Sequence, residues 1–202
     1  MGSEYEIKGK RVDKLNPIFN ELDRRLSHVQ RWPILVTIQR QTVAEHLHNV
    51  AKIADRIARD WFNVTDPETL YAVVRWALDH DAPESLSGDL PSMVKPYFDE
   101  ESMVREHREY MRFTDPMDVP FLIDSSLVKS IVKLADKMEG YYFLAMERTL
   151  GNRFCDAHIE EEKPIILKYV RDTFDERILG LVENWLHVSS SPKSIRISRR
   201  GR

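Results

Sequence analysis

The stretch Thr42–Trp61, TVAEHLHNVAKIADRIARDW, decides the fold. Val43, Leu47, Val50, Ala54, Ile57 and Trp61 recur at steps of three and four, which on a helix makes one continuous apolar stripe. Thr42 is placed to cap the helix, and Glu45, three residues on, completes a capping box. His46 lies beside the stripe, so an imidazole travels with the face that packs inward. His48 projects to another side and reads as exposed.

Helical periodicity continues outward from this segment. A second helix starts at Asp66-Pro67, a cap followed by proline at the first helical position. It carries Leu70, Val74 and Ala77 and ends around His80-Asp81. Ala82 to Pro96, with three prolines and Gly88, reads as an irregular loop with room for a short helical turn. Asp99 to Phe113 reads as a charged helix facing solvent on one side, and Asp115 to Pro120 as a turn. Ile123, Leu127, Ile131, Leu134 and Met138 mark a longer helix running towards Leu150 and ended by Gly151-Asn152. A last helix is expected over Glu162 to Leu186. No series of alternating strands and no internal repeat is present. The expectation is an all-α fold, a single-domain helical bundle. Residues 1–13 form an N-terminal extension, 14–188 the working domain, and 189–202 a disordered basic tail.

Composition narrows the classes. The 202 residues suit one domain, and only seven glycines argue against a glycine-rich phosphate loop. A net charge of −3 argues against nucleic acid as partner, so an anionic substrate must be held by local cations or a metal. The single cysteine, Cys155, excludes an internal disulfide framework and reads as inert. The sequence shows neither a signal-peptide pattern nor an apolar run of membrane-spanning length, which implies a cytoplasmic protein, or host cytoplasm for a viral one.

Four residues carry the chemistry: His46, His80, Asp81 and Asp136. Singly, each has an ordinary explanation as a satisfied histidine, a helix cap or a solvated charge. Together they are different. His80 and Asp81 end the second helix in register with its apolar face, and Asp136 sits four residues after Val132 in an apolar helix. Three helices thus turn nitrogen or oxygen donors towards one core, where unpaired charge is costly and a cation would supply the partner. Two imidazoles and two carboxylates suit Mn, Co, Fe, Zn or Ni, and Mg less readily. Such a site leaves positions open for water and a phosphoryl oxygen.

His46, His80-Asp81 and Asp136 resemble the H…HD…D signature of the HD phosphohydrolases. Arg31-Trp32-Pro33, Glu45-His46, His80-Asp81-Ala82-Pro83-Glu84, Gly88-Asp89-Leu90-Pro91 and Lys133-Leu134-Ala135-Asp136 resemble, in order and spacing, the bacterial 5′-deoxynucleotidase branch. That branch removes the 5′-phosphate from deoxyribonucleoside monophosphates. Viral dATP triphosphohydrolases resemble the same frame. Ser92-Met93 departs from the Thr-Pro often found there. The resemblance implies a divalent metal ion (Mn, Co, Zn, Fe or Mg) on His46, His80, Asp81 and Asp136. It implies Glu84 as general acid/base, and Asp89 as a second acidic residue steering the attacking water or contacting the sugar. Arg31 and Trp32 become phosphate and deoxyribose contacts; Lys95 and Lys133 are further phosphate candidates, and Ile34 a base contact. A homodimer or larger assembly is also implied.

Two rivals remain at the level of sequence. One is release of triphosphate from a dNTP. The other is a catalytically dead nucleotide-binding module, which would be expected to have lost one of His46, His80, Asp81, Asp136 or Glu84; all five are present.

Overall fold

The computed structural model of the chain describes residues 5–7, 10–12, 21–91, 97, 101, 105, 108–110 and 126–190. Among the described residues the regular structure is helical apart from one antiparallel hairpin, β1 (Tyr5–Ile7) with β2 (Lys10–Val12), Tyr5 opposite Val12. Strands of three residues are too short for an alternating pattern to announce them, so the N-terminal extension gave no sign of the hairpin.

The residues group into two compact units, residues 1–35 with 40–135, and residues 36–39 with 136–202. In the first, α1 (Glu21–Arg25) is followed by α2 (Val43–Arg56), a π-helical turn (Ile57–Trp61), α3 (Pro67–Asp79) and the one-turn α4 (Glu84–Ser87). Both sequence-derived helix starts are observed. Thr42 accepts from Glu45 N–H while the Glu45 carboxylate accepts from Thr42 N–H at 2.8 Å. Asp66 accepts from Thr69 N–H at 2.7 Å, and hydrogen bonds from the Thr69 side chain first, then from its N–H, hold the Asp66 carboxyl below the usual range. Leu22, Leu26, Val43, Leu47, Ala82 and Tyr110 pack into one core cluster. Tyr110 Oη donates to Asp23 at 2.9 Å, tying the described helical residues 108–110 to α1. Glu101, Arg105 and Arg108 are helical and exposed, as the charged-helix reading requires. The rest of that segment and the 115–120 turn lie outside the described residues.

α5 (Ser126–Thr149) begins in the first unit and continues into the second. It ends at Gly151, whose φ of +98° favours glycine. A 3-10 turn (Arg153–Cys155), α6 (Asp156–Thr173) and α7 (Glu176–Ser189) follow. The single helix expected over 162–186 is therefore two. The first starts at Asp156 and carries Pro164 inside it; the second is started by Asp175, which accepts from Ile178 N–H at 2.9 Å. Ile166, Val170, Phe174, Ile178, Val182 and Leu186 keep a spacing of four straight across the break, which hides it from a periodicity reading.

The second unit also holds residues 36–39. Glu147 is fully buried and accepts from Ile38 N–H at 2.5 Å and Gln39 N–H at 2.8 Å. Asn152 Nδ2 donates to Glu147 at 2.7 Å and to Val36 O at 2.8 Å. In Glu147→Ala these donors lose their acceptor inside the protein. Urea unfolding should then show a loss of about 2–4 kcal/mol, whereas an exposed carboxylate would cost a few tenths. A wild-type midpoint would remove Glu147 as the anchor of this segment.

Candidate metal centre

The first three donors come from two helices of the first unit. His46 is fully buried one turn into α2, placed there by the Thr42–Glu45 cap. His80 is the C-cap of α3, and Asp81 follows where the chain leaves the helix, so neighbouring side chains can reach one point. Asp81 Oδ2 lies 3.6 Å from His46 Nε2 and 3.4 Å from His80 Nε2, and the two imidazole centroids are 5.6 Å apart. Asp136 follows Ala135 on α5. His46, His80, Asp81 and Asp136 each offer one ligand atom, all within 4.8 Å of one another.

The His80 tautomer fits a cation. His80 Nδ1 donates to Ala77 O at 2.9 Å, which leaves a lone pair on Nε2. That Nε2 is buried without a hydrogen-bond partner, and it faces the Asp81 carboxylate. A ring held from behind by a carbonyl, with its other nitrogen aimed at acidic oxygens, is how a ligating histidine is oriented. His46 Nδ1 faces Arg31 Nη1.

Arg31 and Trp32 stand beside this group. Both are half-buried, with the Arg31 guanidinium 5.3 Å from the Trp32 ring centroid. Trp32 has a φ of +60°, a conformation that costs a bulky side chain about 1–3 kcal/mol unless its surroundings hold it. Its N–H donates to Asp89 Oδ2 at 2.9 Å and its indole Nε1 to Gln41 Oε1 at 3.2 Å. Glu84 is buried at the start of α4, where its N–H donates to Asp81 O at 3.0 Å. Ile34 is 61% exposed and Lys133 is exposed on α5, one turn before Asp136. Lys95 lies outside the described residues.

His48 and Cys155 take the ordinary roles expected of them. His28, His48 and His187 are exposed. Cys155 is buried, and burial first, then the Glu147 and Asp156 carboxylates, push its thiol up to about 11. Gln41 and Glu147 were missed by the sequence reading. For Glu147 a signal exists, because it falls in register with the apolar Phe143 and Leu144.

Similar proteins point the same way. The chain has the fold of the HD phosphohydrolase of cyanophage S-2L, a structure bound to dA and one catalytic zinc ion, with a TM-score of 0.66 at 20% identity over 87% of this chain and 98% of that one. A conserved hypothetical protein of Pyrococcus furiosus matches with a TM-score of 0.59 at 21% identity, covering 81% of this chain and 96% of that one. Residues 18–113 match the family described as 5′-deoxynucleotidase YfbR-like. A 5′-deoxynucleotidase of Vibrio parahaemolyticus is 27% identical, over 74% of this chain and 88% of its own length. One of Vibrio cholerae is 30% identical over 63% and 73%. The chain belongs to the 5′-deoxynucleotidase family.

The donor set makes a measurable demand. Adding Mn2+ or Co2+ to chelator-treated protein should raise its melting temperature, because a cation bound only by the folded chain stabilises it. The apparent affinity should fall as pH is lowered, since protons compete with the cation for the imidazole nitrogens and carboxylates. Asp81→Ala should take up no metal; a full complement of metal in that variant would sink the site.

Proposed function

We propose that this protein is a metal-dependent 5′-deoxynucleotidase, hydrolysing deoxyribonucleoside monophosphates to nucleoside and orthophosphate. The observation that carries the reading is the buried His80 Nε2, without a hydrogen-bond partner and aimed at Asp81, in a chain of the 5′-deoxynucleotidase family. We read residues 14–188 as the working domain, His46, His80, Asp81 and Asp136 as the metal ligands, and the active protein as a cytoplasmic homodimer or larger assembly. Among the described residues no helix is long and apolar enough to cross a membrane. A divalent cation on those ligands supplies Lewis-acid polarisation of a phosphoryl oxygen and a lowered pKa for water.

The chain's own residues do the rest. Arg31 offers a planar fork for phosphate oxygens, and Lys133 a second positive charge. Glu84, following Asp81 by one turn, moves a proton between the attacking water and the leaving 5′ oxygen. Trp32 gives the sugar a flat apolar wall, with Ile34 beyond it for the base. Lys95 is kept as a further phosphate contact.

A panel of dNMPs, NMPs and dNTPs with Mn2+, Co2+ and Mg2+, products resolved by chromatography, tests the reading. Orthophosphate from dNMPs supports it; triphosphate from dATP replaces it with the rival reaction. Glu84→Ala should bind metal and dNMP yet turn over about a hundred- to ten-thousand-fold more slowly. Near-normal kcat would remove Glu84 from the chemistry.

A ribose 2′-hydroxyl buried against the Trp32 indole loses water and gains no partner, at about 1–3 kcal/mol. The expected preference for deoxy over ribo substrates is therefore roughly five- to 150-fold. Trp32→Ala should narrow it, while Arg31→Ala lowers kcat/KM for both sugars alike. If the deoxy/ribo ratio survives in folded Trp32→Ala, Trp32 does not face the sugar.

A further inference from the structure

Trp32 is an unusual place for a bulky residue, and two side chains far apart in sequence hold it there. Asp89 Oδ2 accepts its backbone N–H at 2.9 Å, and Gln41 Oε1 accepts its indole N–H at 3.2 Å. Gln41 grips the same turn again through its backbone, accepting Arg31 N–H at 2.8 Å, and its side chain is only 6% exposed. We propose that Asp89 and Gln41 form a clamp on Trp32, that this clamp sets the discrimination between deoxyribose and ribose, and that Asp89 works by positioning Trp32 rather than on the reacting atoms. The inference rests on Trp32 being the sugar wall.

The chemistry of each partner fits its task. Asp89 directly follows Gly88, whose φ of +83° turns the chain at the end of α4, so the carboxylate is delivered by a turn that favours glycine. It accepts from a main-chain N–H, and so controls the backbone conformation of Trp32 whatever the indole does. Gln41 offers a neutral acceptor to the indole, whose only hydrogen-bonding group is that donor. It fixes the ring about its own axis. An apolar wall discriminates against a hydroxyl only while it stays close and leaves no room for water. A ring free to tilt would let water in and forgive the ribose. The clamp also references the wall to the rest of the site, because Gln41 immediately precedes the Thr42 cap of the helix bearing His46, and Asp89 follows the turn that starts with Glu84.

The test is the ratio of kcat/KM for a matched dNMP and NMP, with melting curves, in Asp89→Ala, Asp89→Asn, Gln41→Met and Trp32→Ala. An asparagine at 89 still accepts the Trp32 N–H through its amide oxygen but carries no charge. The ratio should narrow severalfold in Asp89→Ala and in Gln41→Met, and stay within about twofold of wild type in Asp89→Asn. Two results overturn the clamp and leave the sugar wall intact: a narrowed ratio in Trp32→Ala with wild-type ratios in folded Asp89→Ala and Gln41→Met, or Asp89→Asn turning over as poorly as Asp89→Ala with the ratio unchanged in both. An unchanged ratio in folded Trp32→Ala overturns the sugar wall itself, and the clamp with it.

Discussion

An imidazole that is fully buried, a second that is nearly so, and a carboxylate 3.4–3.6 Å from both form the constraint on which the rest of the structure is arranged. Gathering two imidazoles and a carboxylate in an all-α core of Val, Ile, Leu and Ala takes them out of water at a cost. A cation offsets that cost, and the local structure prepares for one. Ala77 O fixes the His80 tautomer, the end of α3 lets two neighbouring residues point to one place, and the Thr42–Glu45 box sets where His46 falls on α2. The site is therefore built from helix termini and caps more than from helix interiors.

That origin explains how much could be read from the sequence. Caps and amphipathic stripes are local, so the start of α2 at Thr42, the start of α3 at Asp66-Pro67, and the gathering of His46, His80, Asp81 and Asp136 were all legible before any coordinates. The hidden parts are those in which an unbroken pattern conceals a change, or in which the partner is main chain. The spacing of four from Ile166 to Leu186 runs on through the extended Phe174, so only the cap at Asp175 marks the division of α6 from α7. Glu147 answers backbone N–H groups at Ile38 and Gln39, more than a hundred residues away, and amide groups leave no trace in side-chain patterns. The left-handed turn at Trp32 is equally silent, because the residue there is not glycine.

The loop from Arg31 to Gln41 shows why a strained turn is kept. A glycine at position 32 would relieve the backbone and remove the ring; a tryptophan in ordinary extended geometry would aim the ring elsewhere. Holding a large flat side chain at positive φ demands acceptors on both its backbone and its indole, and these come from Asp89 and Gln41. Each acceptor is anchored in turn: Gln41 by its position against the first turn of α2, Asp89 by the glycine-bearing end of α4. Trp32, His46, His80, Asp81 and Glu84 are consequently positioned by the same few helix ends. A change that loosens one of those ends would therefore displace Trp32, the three donors and Glu84 together.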